Sequence, residues 1–313
     1  MKEHILQSSL WENFERLENR RTFRISGNGF TALAILEHTW FGNYLFVPYG
    51  PTVERIDDFR GAIKALKNLA KQHHAFFIRI EPPFANIDSV KLQHDFMLKK
   101  SHDIEPAHTW VLDLTQPETK IFADMEKEKG RLWRNYHKKA ITIRQTKDPA
   151  EVNILTNMLS DVGHRNRFIP QKYTHLQNQM FAGFATLYIA ELEKTPIAAA
   201  LVYDYNGVRY YAHAAADYEH RKLSAGAILL VQMIIDAKNS GMESFDFWGI
   251  TTSQDKNHPW YGFTKFKKSF GGYQVNYAGT WDLPISRVHY FFYQIIRKLN
   301  RIRRRITTNT GAI

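Results

Sequence analysis

The order of elements repeats along this chain, and the repeat restricts which folds are open to it. In the first half, residues 11–17 read as a helix, and strand-like runs follow at 22–26, at 31–38 after the Gly27-Asn28-Gly29 turn, and at 44–48. Residues 56–74 then show helical spacing, with Phe59, Ile63, Leu66 and Ala70 on one face. Residues 75–80 read as a buried strand ending at Glu81-Pro82-Pro83. The second half follows the same order. A strand is expected at 141–144, and Asp148-Pro149-Ala150-Glu151 marks a helix start. Residues 186–191 and 197–203 form a hairpin, and 208–215 a third strand beyond the Tyr205-Asn206-Gly207 turn. A helix at 224–240, with Ile228, Val231, Ile234 and Ile235 as packing positions, leads to a strand at 245–248. Two copies of one α/β unit account for this order.

A basic connector lies between the halves. After a strand at 109–114, residues 121–140 read as helical and carry Lys127, Lys129, Arg131, Arg134, Lys138 and Lys139, with Trp133 and Tyr136 interleaved and Gly130 as a point of division. Such a run is either a solvated face or a surface for RNA or a phosphate-bearing ligand. The formal charge of +11 favours polyanionic partners in general. The chain has no cysteine, which removes disulfides, thiolate metal sites and a cysteine nucleophile. No phosphate-binding G-x-x-x-x-G-K motif, dinucleotide fingerprint, H-E-x-x-H pair or G-x-S-x-G elbow is present. No apolar run approaches the roughly 20 residues of a spanning helix, and MKEHILQSSLWENF has no signal-peptide core, so a cytoplasmic location is expected.

Residues 243–273 concentrate the chemistry. An apolar strand delivers Asp246 to a break at Gly249, a polar loop with Pro259-Trp260 follows, and Phe266-Lys267-Lys268-Ser269-Phe270 ends in Gly271-Gly272. Two readings are open: the rim of a substrate site, or an ordinary strand, a solvated loop and a basic turn. A last strand is expected at 280–284. A helix at 286–305 follows, with Val288, Phe291, Phe292, Ile295, Ile296, Leu299 and Ile302 near one side and a row of cations on the other. That helix can dock on the protein's own core or lie on an anionic membrane.

Arg221-Lys222-Leu223-Ser224-Ala225-Gly226 precedes the long second helix. It resembles the R/Q-x-x-G-x-G/A pyrophosphate loop of Gcn5-related N-acyltransferases, with Ser224 in place of the first glycine. The wider pattern resembles the FemABX peptidoglycan-bridge aminoacyltransferases. It is carried by Gln7-Ser8 with Trp11, Phe46–Pro51, Ile78-Arg79-Ile80-Glu81-Pro82, residues 109–114, Arg165-Asn166-Arg167-Phe168, Tyr210-Tyr211, and above all 245–249 followed by 263–272. The resemblance implies an α/β (α+β) fold of two tandem Gcn5-related units, each a mixed, mostly antiparallel sheet flanked by helices. Residues 1–140 would form the first unit and 141–282 the second, with 283–313 packing back on the first.

The reaction implied is attack by an amine of a peptidoglycan precursor stem peptide on the ester of an aminoacyl-tRNA. No cofactor is implied, since the tRNA ester is already activated. Lys267, preceded by Phe266, matches the family's catalytic lysine, with Lys268 as the adjacent alternative. Asp246 is a general base or a structural partner of a nearby cation. Arg165 would grip a precursor phosphate. Tyr211 is a peptide contact or a core aromatic, Trp248 and Gly249 would shape the floor, and Phe266, Arg16 and Glu81 complete the substrate-binding set. No metal is implied. The partners implied are aminoacyl-tRNA and a UDP-MurNAc-peptide or lipid-linked precursor, and a monomer is expected; peripheral contact with the inner face of the membrane is the alternative that the basic helix at 286–305 leaves open. Two rivals stand beside this reading: a CoA-dependent N-acyltransferase of the same fold, and a non-enzymatic basic protein that binds RNA or membrane.

Overall fold

The computed structural model describes residues 2–84, 89–166 and 169–310. In chain order its helices and strands are α1 (Ser9–Leu17), β1 (Arg21–Gly27), β2 (Phe30–Thr39), β3 (Gly42–Val47), β4 (Thr52–Val53), α2 (Phe59–Gln72), β5 (Ala75–Ile80), α3 (Ser89–Phe96) and β6 (Lys99–Lys100). There follow β7 (His108–Asp113), α4 (Glu118–Asp124), α5 (Lys127–Asn135), β8 (Ile141–Thr146), α6 (Val152–Asn166), α7 (Tyr173–Phe181), β9 (Ala185–Leu192), β10 (Thr195–Tyr205) and β11 (Val208–Ala216). The chain continues through α8 (Ala225–Asn239), β12 (Ser244–Gly249), α9 (Tyr261–Lys268), β13 (Tyr273–Asn276), β14 (Trp281–Pro284) and α10 (Arg287–Thr310).

The chain folds as two units, each built on its own sheet. The first comprises residues 1–7, 19–105 and 278–313, the second 8–18 and 106–277. The first sheet runs β1-β2-β3-β5-β14-β6, with β4 beside β2. All its pairings are antiparallel except β3 with β5. The second runs β13-β7-β12-β11-β10-β9-β8, parallel at β11 with β12. In both, the parallel pair is joined through one long helix, α2 or α8, because parallel neighbours need a crossover that returns the chain to the same end. This is the repeat seen in the sequence. Phe59, Ile63, Leu66 and Ala70 of α2 are buried, as are Ile228, Val231, Ile234 and Ile235 of α8.

Strand pairing moves the boundaries away from residue 140. β7 pairs with β12, Asp113 opposite Ser244 and Val111 opposite Asp246, so the basic connector lies inside the second unit. α1 is also part of that unit, with Trp11 and Phe14 against Phe184. β14 pairs with β5 and returns to the first. There Ile78 and Ile80 meet the α2 core, while Phe77 packs with Tyr290 and Tyr293 of α10. Arg79 donates two bonds to Asp282, at 2.7 and 2.9 Å, and Tyr290 a third at 3.0 Å. The basic connector divides at Met125-Glu126, where Met125 is extended, and not at Gly130, which is buried within α5.

Candidate functional site

The site grows out of an irregularity in β12. Its register with β7 holds from Ser244 to Asp246, slips, and resumes at Gly249 opposite Thr109. The extra length is taken up at Trp248, whose φ of 65° is a left-handed conformation costly for a bulky side chain. Asp246 holds the kink. Its Oδ1 accepts from the Trp248 N–H at 2.7 Å and from the Thr109 hydroxyl. The kink brings Gly249 against Pro106 and Trp260. A Cβ at that position would stand 2.5 Å from the proline Cγ, so a glycine is required.

Residues 261–268 form a helix, where the plainer of the two readings has a loop and a basic turn. Their spacing places Thr264 and Lys267 together on the buried face, three residues apart. The Thr264 hydroxyl accepts from the Thr251 N–H at 3.0 Å, which fixes the helix to the chain just past Gly249. Lys267 is 1% exposed. Its ammonium donates to the Gly249 carbonyl at 2.7 Å and lies 4.0 Å from the centre of the Phe263 ring, one turn earlier. Phe263 is 47% exposed. Burial lowers the Lys267 amine to about 7, with Asp246 opposing the shift. Burial also raises Asp246 to about 6, against the bonds from Thr109 and Trp248 and the charge of Lys267. An amine and a carboxyl that both titrate near neutrality can each give or take a proton there.

The other expected residues are distributed differently. Lys268 points to solvent over the Trp110 ring, 4.9 Å from its centre. Phe266 packs on Phe270, with ring centres 5.1 Å apart. Tyr211 is a core residue near Phe245, and burial pushes its phenol upward. Trp248 is half-buried and meets the edge of Tyr210. Arg165 is exposed at the end of α6, with its guanidinium 4.8 Å from the Tyr218 ring centre. It lines a groove of about 290 Å³ with Asp161, Asn157, Asp217 and Tyr218, and Lys267 is not part of that lining. Arg167 and Phe168 lie outside the described residues. Arg16 is exposed and paired with Glu12 at 2.6 Å.

Glu81 belongs to the first unit and is 3% exposed. Its Oε1 accepts from the N–H groups of Ile104 and Glu105 and from the Thr280 hydroxyl, at 3.2, 3.0 and 2.6 Å, while Oε2 is buried without a partner. Burial raises this carboxyl to about 7. Ser224, at the position of the first glycine in the pyrophosphate-loop pattern, takes a left-handed φ of 55° at the start of α8, a conformation that glycine adopts readily. Sequence reasoning did not single out Thr109, Phe263 or Pro106. Thr109 and Phe263 stand inside the recognised segments, but a partner 137 residues away has no local signature.

The comparisons bear on this half of the chain. Residues 170–298 match the FemAB family. That segment holds Asp246, Gly249 and Lys267. Over 90 residues the chain is 30% identical to the lipid II:glycine glycyltransferase of Staphylococcus saprophyticus, covering 29% of this chain. The chain spans about a fifth of the length of that curated relative, at 21%. Likeness of fold to solved structures extends over nearly all of the chain. A crystal structure of FemX superposes with a TM-score of 0.83 at 17% identity, covering 94% of both chains. The L-PGS structure from Bacillus licheniformis gives a TM-score of 0.61 at 15% identity over 90% of this chain and 88% of its own.

Proposed function

We propose that this chain is an aminoacyltransferase that moves an amino acid from aminoacyl-tRNA to an amine of a peptidoglycan precursor stem peptide. The observation that carries the reading is the buried Lys267 amine on the Gly249 carbonyl, next to Asp246, within the segment that matches the FemAB family. The similarity to a lipid II:glycine glycyltransferase supports the precursor class. The net charge of +11 supports a polyanionic donor.

The amine nitrogen attacks the ester carbonyl carbon, so a C–N bond forms and the C–O bond to the tRNA ribose breaks. The amine's proton ends on the departing ribose oxygen. Negative charge builds on the carbonyl oxygen in between, and Lys267 in its ammonium form would meet it. Access requires the Phe263 ring to turn away, a rotation open to a partly exposed side chain. Asp246 acts mainly by holding the Trp248 kink that presents the Gly249 carbonyl. Arg165 contributes a phosphate contact outside this cluster. The reaction takes place in the cytoplasm on a monomeric enzyme, with no further cofactor.

A CoA-dependent N-acyltransferase is the second reading, favoured by the left-handed Ser224 ahead of α8. One experiment separates the two. The protein is incubated with charged tRNA and a UDP-MurNAc-peptide or lipid-linked precursor, or with acetyl-CoA and the same acceptors, and the products are weighed by mass spectrometry. The expected product is the precursor plus one aminoacyl residue, formed with tRNA alone. Acetylated precursor without tRNA, or no product from any charged tRNA, would overturn the proposal.

A further inference from the structure

α10 has two apolar faces. Tyr290 and Tyr293 pack inward against Phe77. Val288, Phe291, Phe292, Ile295 and Leu299 are all exposed, Phe291 at 61%. At about 100° per residue these five fall within about 100° of arc, an unbroken stripe on the side away from Tyr290. Exposed Arg287 and Lys298 follow one border of the stripe. The 24 residues of this helix contain no acidic side chain, and its sequence adds Arg297, Arg301, Arg303, Arg304 and Arg305.

A second element joins the patch. The β2–β3 turn places Trp40 fully in solvent, at 102% exposure. The neighbouring Phe41 reaches Tyr293 of α10, with ring centres 6.4 Å apart. A bare tryptophan beside a bare aromatic stripe, bordered by cations, has the composition of a surface that enters the headgroup layer of a membrane.

We infer that the outer face of α10 and the Trp40 turn together form a docking surface for an anionic lipid leaflet. Charge selects this occupant. Polybasic segments are drawn to anionic headgroups while their apolar residues enter the acyl boundary. A second copy of the chain would oppose the same cations to these. No helix among the described residues is long and apolar enough to cross a membrane, so the contact is peripheral. The inference does not depend on which group the protein transfers.

The test is co-sedimentation of the full chain with vesicles of phosphatidylcholine alone or mixed with phosphatidylglycerol. Binding to the anionic vesicles should exceed binding to the neutral ones by about tenfold and fall as salt rises. The double substitution Phe291→Asp with Phe292→Asp should lower it by about tenfold, and Trp40→Ser by a smaller factor. Both sites are exposed, and circular dichroism checks the fold. Trp40→Ser, in a separate turn, keeps the test decisive should the helix variant misfold. Equal binding to both vesicle types, wild-type binding by both variants, or a dimer in light scattering that the double substitution dissociates would overturn the inference.

Discussion

Replacing Lys267 with methionine should change how stability depends on pH. The amine titrates at about 7 in the folded protein against its ordinary 10.5. Between those values the unfolded chain holds a proton that the folded chain has released. Stability rises with pH wherever the unfolded state binds more protons. The cost of burying the amine is therefore felt in full below about pH 7 and fades as pH climbs toward the unfolded value. From about pH 8 to about pH 9 the folded amine is nearly all neutral and the unfolded one nearly all charged. Over that interval the wild type should gain about 1.3 kcal/mol relative to Lys267→Met. Across the full range the cost is on the order of 5 kcal/mol. Asp246 works with the opposite sign at lower pH. Its folded value is raised from 3.8 to about 6, so its contribution is complete below the first and lost as pH rises through the second. Measuring above about pH 8 keeps the two apart. Urea unfolding of both proteins, followed by far-ultraviolet circular dichroism at each pH, supplies the difference. Parallel curves for wild type and variant from about pH 8 to about pH 9 would refute a titrating amine in the interior.

Two further outcomes test the first unit. Glu81→Gln keeps the acceptor for Ile104, Glu105 and Thr280 while removing a carboxyl raised from 4.5 to about 7. That carboxyl's protonated form stabilises the fold fully below the first value and is lost above the second, so the variant should gain roughly 2–3 kcal/mol on the wild type between about pH 4 and about pH 8. Equal stability at both ends would show that Glu81 is solvated. Asp282→Ala strands Arg79, whose side chain is 3% exposed, and should cost about 3–5 kcal/mol in urea unfolding. A loss well under 1 kcal/mol would mean that the pair is not desolvated.

The repeat was legible because its signals are local. Alternation and helical spacing located β5 at residues 75–80 and the packing faces of α2 and α8. The unit boundary was not legible. Whether residues 108–113 belong with what precedes them or with β12 is decided by a pairing with residues more than 130 positions on. α9 is a helix in a stretch for which the sequence leaves a substrate-site rim and a basic turn both open, ending in Gly271-Gly272. Its helical spacing shows in the burial of Thr264 with Lys267, and the three- and four-residue steps of Phe263, Phe266 and Phe270 carry the same period. Lys267 and Asp246 were identifiable as chemistry-bearing residues; the resemblance supplied the role of Lys267 and left Asp246 between general base and structural partner. That both are pushed toward neutrality depends on how deeply the sheet and α9 enclose them, which no local pattern carries.

The arrangement around Gly249 separates what holds the site from what could react in it. Asp246 restrains Trp248 through one backbone bond and is itself restrained by Thr109. Pro106 and Trp260 close the space a side chain would need at Gly249, and Lys267 takes the carbonyl that the kink presents. Every one of these contacts also serves a purely structural role, so a fall in activity alone would not identify the lysine as catalytic. Methionine at 267 fills the same volume without the amine. If Lys267 acts on the developing oxyanion, the variant keeps its fold and its tRNA affinity while transfer falls by about a hundred- to a thousandfold. If Lys267 serves only to hold the Gly249 carbonyl, the losses appear together, as reduced stability with a matching fall in binding. The separation between those two patterns assigns the residue, because an interaction made in the transition state alone leaves ground-state binding unchanged.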